Sequence, residues 1–81
     1  MNKVYIDVRT PAEYAAGHYP GAINHPVELI SEGVYPHIDK DAAIILYCRS
    51  GGRAGMAQQY MAQAGFSNVS NGGGLSDVMG S

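Results

Sequence analysis

Cys48 is the single cysteine of the 81-residue chain, and it closes the apolar run Ala42-Ala43-Ile44-Ile45-Leu46-Tyr47. The hexapeptide Cys48-Arg49-Ser50-Gly51-Gly52-Arg53 follows, and then a stretch of helical character from Ala54 to Ala64. A buried strand therefore delivers a thiol to a tight loop whose backbone amides lead into a helix N-terminus. Such amides form an anion site, here around a nucleophile, and indicate chemistry at sulfur. A thiol attacks only as thiolate, and an ordinary cysteine with a pKa of about 8.5 is mostly protonated at neutral pH. The amides, the positive end of the helix, Arg49 and Arg53 all favour the anion, so the sequence predicts a lowered pKa for Cys48. Gly51 and Gly52 let the backbone curl around the sulfur without a Cβ clash.

Each of these residues has a plainer reading. A cysteine is often a buried structural thiol, but its place before glycines and two arginines argues against that for Cys48. Arg49 reads equally well as a solvated surface charge or as an anion holder. Arg53 opens the helix and is the better anion holder, with a structural carboxylate partner as its alternative. Asp7 and Arg9 end the first strand, where ligands gather in parallel sheets. The structural reading is preferred for both: Asp7 tying loops by hydrogen bonds, Arg9 pairing with Glu13. His18 is expected to fasten a turn. Met56, Tyr60 and Met61 are expected in the core, and Gly72 to Gly74 to let the chain pass close to the Cys48 loop.

The chain carries a net charge of -2, which argues against a nucleic-acid or anionic-membrane surface as its main role. Two of its five cationic side chains nevertheless fall in the Cys48 loop and make a local positive spot. One cysteine excludes an internal disulfide and a multi-cysteine zinc site, and three histidines without clustered carboxylates do not make a metal site. No internal thiol can resolve what forms on Cys48, so another molecule must remove it. No apolar stretch approaches the ~20 residues of a membrane helix. Met1-Asn2-Lys3 leads directly into a strand, with no signal peptide in view; the chain is expected to be cytoplasmic, or periplasmic where a leader has been removed.

The elements that must position the thiol can be read along the chain. Val4 to Val8 is β-branched and aromatic and reads as a strand. Thr10-Pro11 with Glu13 three residues after the cap predicts a helix from Pro11 to about Ala16, stopped by Gly17. Ala22 to Asn24 is a short extended piece, Val27 to about Val34 a short helix, and Tyr35 to Asp41 a polar surface connection. Ala43 to Tyr47 reads as a strand covered on both faces. A helix from Gly52 to Ala64 has Met56, Tyr60, Met61 and Ala64 on one face and stops at Gly65. Phe66 to Val69 reads as a last strand, Asn71 to Gly74 as a flexible loop, and Leu75 to Met79 as a final turn. Strands alternating with helices predict an α/β fold: one domain over residues 1–81, a small parallel sheet flanked by helices on both faces.

In order, Asp7-Val8-Arg9, Glu13-Tyr14, Gly17 to Pro26, Cys48 to Arg53, Gly65-Phe66 and Gly72-Gly73-Gly74-Leu75 resemble a single-domain rhodanese, most closely the short phage-shock-type members. The resemblance covers nearly the whole chain. It departs at His25, where an apolar residue is common, and at Leu75, where a tryptophan often stands. The resemblance implies a three-layer rhodanese-like fold and thiosulfate sulfurtransferase activity by double displacement. Cys48 would take the sulfane sulfur of thiosulfate or a related donor as a persulfide and pass it to cyanide, or to a thiol or dithiol acceptor, proteins included. Arg53, with Arg49 as a second candidate, would hold the donor's oxyanion end; Ser50 and the backbone of Gly51 and Gly52 would complete the cradle. No metal or organic cofactor is implied, and nothing requires more than a monomer.

Two rivals follow from the same residues. A persulfide carrier or protein-interaction module would keep the same loop without rapid small-molecule turnover. A phosphatase-like activity is disfavoured because tyrosine phosphatases resemble this pattern with Cys-x5-Arg, whereas Cys48 and Arg53 are spaced Cys-x4-Arg.

Overall fold

The computed structural model describes residues 3–80; Met1 and Asn2, expected to lead into the first strand, and Ser81 lie outside the described residues. The chain runs β1 (Val4–Asp7), α1 (Pro11–Ala16), β2 (Ile23–Asn24), α2 (Val27–Ser31), β3 (Ile44–Cys48), α3 (Gly52–Gln63), β4 (Val69–Gly74) and α4 (Leu75–Gly80). The four strands form one parallel sheet in the order β2-β1-β3-β4, with Ile6 opposite both Ile23 and Leu46. β3 is thus internal, and its carboxyl end is where Cys48 leaves the sheet.

Alternation along β3 explains its continuous apolar run. Ile44, Leu46 and Cys48 join Ile6, Val8, Val27, Ile30, Ala54, Ala57 and Met61 in one buried cluster, against α2 and α3. Ile45 and Tyr47 pack with Ala22, Val78 and Leu75 in the other. Helices therefore cover both faces, as the residue pattern predicts.

α1 follows its local signals. Thr10 is the N-cap, its Oγ1 accepting from the Glu13 amide at 3.3 Å while Glu13 Oε1 accepts from the Thr10 amide at 3.0 Å.

Five expectations need correction. α2 ends at Ser31 rather than near Val34, and Gly33 takes a left-handed turn at φ +86°. In α3 the buried residues are Ala54, Ala57 and Met61, while Met56 and Tyr60 are exposed. Small alanines let the helix sit close to the sheet, which turns the larger side chains outward. The last strand is Val69–Gly74, not Phe66 to Val69, and it contains the glycines read as a flexible loop. A Cβ on Gly72 would lie 2.7 Å from Ile45 Cγ2 and 2.9 Å from Val78 Cγ1, so close packing against β3 and α4 outweighs the low strand propensity of glycine. The turn at Leu75 to Met79 is a helix, α4. The connection Tyr35 to Asp41 is also less exposed than its composition suggests: Pro36 is buried, and Tyr35 and Ile38 pack on the main core.

Candidate active site

β3 places Cys48 at the centre of the carboxyl edge, 1% exposed, under the loop that its own chain makes. Gly51 is the N-cap of α3 and offers no side-chain acceptor, so the first amides of the helix lack a polar cap. The sulfur takes that role. The Gly51 amide donates to Cys48 Sγ at 2.9 Å. Burial pushes the thiol up, but amide hydrogen bonds from Ala54, Ser50, Gly51 and Arg53 outweigh it and hold the thiol below its ordinary value. Gly51 reaches this geometry at φ +98°, where a Cβ would also stand 3.3 Å from Gly73 Cα. Gly52 is different. A Cβ there meets nothing within 4 Å and its φ is not left-handed, so only Gly51 of the two is required by the curl of the loop.

β4 closes the loop from the side. A side chain at Gly74 would overlap the Arg49 carbonyl oxygen, which accounts for glycine at that position. Asn71 Nδ2 donates to the Gly51 carbonyl at 3.0 Å, and its Oδ1 accepts from the Gly73 amide at 2.8 Å. Asp77 Oδ2 accepts from the Gly74 amide at 2.7 Å. The glycine run thus passes close to the Cys48 loop, and Asn71 and Asp77 hold it there. Sequence reading missed both residues. Asp77 carries the weak signal of an acid in the first turn of α4; Asn71 carries none, because its partner is 20 residues away.

The three arginines part company. Arg9 pairs with Asp7, not with Glu13 as expected: Nε donates to Oδ1 at 2.9 Å and Nη2 to Oδ2 at 2.7 Å, with a further bond from Nη2 to the Gly17 carbonyl at 2.6 Å. Asp7 also accepts from the Arg9 amide at 2.9 Å, so it does tie the loop after β1. Glu13 instead receives Arg53, with Nη1 donating to Oε1 at 2.7 Å and Nη2 to Oε2 at 3.1 Å. That pairing, helped by the Thr10 amide, lowers the Glu13 carboxyl to about 2. Arg53 is raised in turn. Arg49 is exposed, and among the described residues its guanidinium has no acceptor. The uncancelled positive charge at the loop is therefore on Arg49. Ser50 is exposed and contributes its backbone amide.

Two other polar residues keep the edge in shape. Tyr47 accepts at its hydroxyl from the Tyr19 amide at 2.9 Å, and burial raises the phenol to about 12. His18 stacks on Tyr14 at 3.7 Å and meets the Tyr14 carbonyl at 2.9 Å, as expected of a turn fastener. His25 bonds the Val34 carbonyl at 2.8 Å, pinning the segment that follows α2.

A groove of about 610 Å³ opens beside the loop, lined by Arg9, Glu13 and Ala16 on one stretch of chain and by Arg49, Leu75 and Met79 on others. Cys48 does not line it; the thiol lies beneath the loop whose Arg49 forms its edge. A buried, amide-capped thiol, a free cation and an open groove together suit nucleophilic attack on an anionic sulfur compound.

Residues 1–79 match the family of the rhodanese-like domain. The chain belongs to that family. It is 36% identical over 75 residues to the thiosulfate sulfurtransferase PspE of Escherichia coli, covering 91% of this chain and 72% of that protein. A sulfurtransferase of Allochromatium vinosum is 42% identical over 66 residues, covering 82% of this chain and 61% of that protein, so the chain spans less than two thirds of the latter's length. A solved structure, the rhodanese with anions from E. coli, superposes with a TM-score of 0.84 at 35% identity, over 94% of this chain and 91% of that one. The fold is the rhodanese fold. The family is also diverse: the tRNA uridine(34) hydroxylase of Buchnera aphidicola is 37% identical over 73 residues, covering 84% of this chain but 23% of that enzyme.

Proposed function

We propose that this rhodanese is a thiosulfate sulfurtransferase that works through a persulfide on Cys48. The observation that carries the reading is the sulfur capping the first turn of α3 through amide hydrogen bonds, which favours the thiolate in a site of 1% exposure. The Cys48 thiolate attacks the sulfane sulfur of thiosulfate. The new bond joins Sγ to that sulfur; the old S–S bond breaks, its electron pair leaves with sulfite, and the Cys48-S-S⁻ persulfide remains. The outer sulfur inherits the negative charge and the amide cradle of Ser50, Gly51 and Arg53. A thiophilic acceptor, cyanide or a thiolate, then attacks the outer sulfur and restores the Cys48 thiolate. Sulfite leaves without a proton, so no general acid is needed.

Arg49 holds the oxyanion end of the donor by a charge-assisted hydrogen bond, since its guanidinium is uncommitted. Arg53 acts mainly by position. Its fork spans the distance to Glu13 and anchors the start of α3, leaving fewer N–H groups for the donor than Arg49 offers. Asp7 and Arg9 shape the edge and take no part in sulfur transfer.

Thiocyanate formation from thiosulfate and cyanide tests the reading, with the wild type beside Cys48→Ser. Saturable turnover in the wild type alone supports it. A folded wild type that accepts one sulfur atom yet turns over no faster than free thiol would favour a persulfide carrier instead.

A further inference from the structure

Asn71 is exposed on an edge strand, yet both ends of its side-chain amide are engaged beside the Cys48 loop. Nδ2 donates to the Gly51 carbonyl at 3.0 Å, and Oδ1 accepts from the Gly73 amide at 2.8 Å. The strand is shaped to allow it. Leu46 lies opposite Asn71 and Cys48 opposite Gly74, so β4 advances three residues while β3 advances two. The extra residue makes a bulge, a device that re-aims side chains next to it. A Cβ on Gly55 would stand 3.4 Å from Nδ2, so glycine there leaves room for the Asn71 amide over the first turn of α3.

The Gly51 carbonyl is the first acceptor of α3, taking the Gly55 amide at 2.9 Å, and Asn71 fills its second lone pair. That second bond adds direction. Gly51 sits at φ +98° and ψ -14° with no side chain to steer it, and its own amide must point at Cys48 Sγ, 2.9 Å away. Fixing the carbonyl end of so permissive a residue fixes where its amide end points. Asparagine carries a donor and an acceptor on one short arm, which is what gripping the Gly51 carbonyl and the Gly73 amide together requires.

We propose that Asn71 is a positioning residue for Cys48: it holds the Gly51 carbonyl so that the Gly51 amide stays on the sulfur. It acts through Gly51 rather than on the sulfur itself. A hydrogen bond donated to a thiolate favours the charged form, so loosening the grip makes the thiol harder to ionise. The role rests on Cys48 being the reacting thiol of the reading above, and adds a residue that sets its reactivity.

The test compares iodoacetamide alkylation of Cys48 across pH in the wild type, Asn71→Ser and Gln58→Ala. Serine can still accept from the amide two residues on, but its short arm does not reach the Gly51 carbonyl. Gln58 is the control, because its Nε2 donates to the Val69 carbonyl at 3.1 Å and so ties the same helix to the same strand away from the loop. Each change exchanges one neutral side chain for another, so Arg49, Arg53 with Glu13 and Glu28, Asp7 with Arg9, and Asp77 keep their charges. Asn71→Ser is expected to move the midpoint of the profile upward and to slow alkylation about three- to tenfold below it, the effect of losing one neutral hydrogen bond that aims the amide. The rates should converge at high pH, and kcat/KM for thiosulfate should fall in parallel. Gln58→Ala should lower Tm and leave the midpoint where the wild type has it. Where Asn71→Ser does not fold, Asn71→Thr, better suited to a strand, takes its place. A midpoint unmoved in the folded variant, or moved equally in Gln58→Ala, overturns the inference. A wild type that takes no sulfur from thiosulfate overturns the sulfur-transfer reading instead, and the alkylation profile still decides the role of Asn71.

Discussion

Replacing Gly51 by alanine separates the work of the loop from the stability of the fold. The residue sits at φ +98°, where an L side chain costs about 1–2 kcal/mol, and its new Cβ would press on Gly73 Cα at 3.3 Å. In a domain of this size each 1 kcal/mol lowers Tm by about 4–8 °C, so a fall of roughly 5–15 °C is expected. Relief of the strain tilts the Gly51 amide away from Sγ, weakening a hydrogen bond to a charged group that contributes about 1.5–3 kcal/mol when intact. Losing about 1.4 kcal/mol of it reduces the thiolate-to-thiol ratio about tenfold. The thiol pKa rises, and below it the iodoacetamide alkylation rate at fixed pH falls by about the same factor. Gly52→Ala should do neither, because nothing stands within 4 Å of its Cβ, and it should stabilise α3 by ~0.5–1 kcal/mol. If Gly51→Ala loses stability yet alkylates at the wild-type rate across pH, the amide cradle does not hold the thiolate and the reasoning fails.

Three further outcomes are expected. Arg49→Gln should lower kcat/KM for thiosulfate at least about tenfold through the loss of one charge-assisted hydrogen bond, with added salt lowering wild-type kcat/KM more than the variant's. Glu13, held at about 2 against an ordinary 4.5, contributes stability that is present above its unfolded value and lost as pH falls through about 2. Acid unfolding monitored by circular dichroism should therefore show this loss between about pH 4.5 and 2 in the wild type, and Glu13→Gln should lack it while being less stable at neutral pH. Asp7→Asn leaves the Arg9 guanidinium buried without its charge partner, so urea unfolding should register a loss of about 3–5 kcal/mol.

What could be read from residues alone was what is local. The Thr10 to Glu13 capping box, the proline at the first helical position and the stop at Gly17 all lie within one short stretch, and α1 has the expected bounds. The Cys48 loop was legible for the same reason: strand, thiol, glycines and helix follow one another directly. The glycines of β4 were legible as a close pass beside that loop but not as a strand, because only the side chains of Ile45 and Val78 explain why a strand should lack side chains there. The arginine pairing was also hidden. Arg9 stands four residues before Glu13, the spacing of a helical ion pair, but it precedes α1 and the rule does not reach it. Glu13's partner is 40 residues further on, across the fold. In the same way, the apolar face of α3 was misplaced because alanines carry the contact and leave the larger Met56 and Tyr60 outside.

Intact mass spectrometry after incubation with thiosulfate, run beside Cys48→Ser and followed by cyanide, interrogates the covalent intermediate itself. The expected result is a gain of one sulfur atom in the wild type alone, removed by cyanide. A folded, reduced wild type that gains no sulfur, or a Cys48→Ser protein that gains it equally, would contradict sulfur transfer through Cys48.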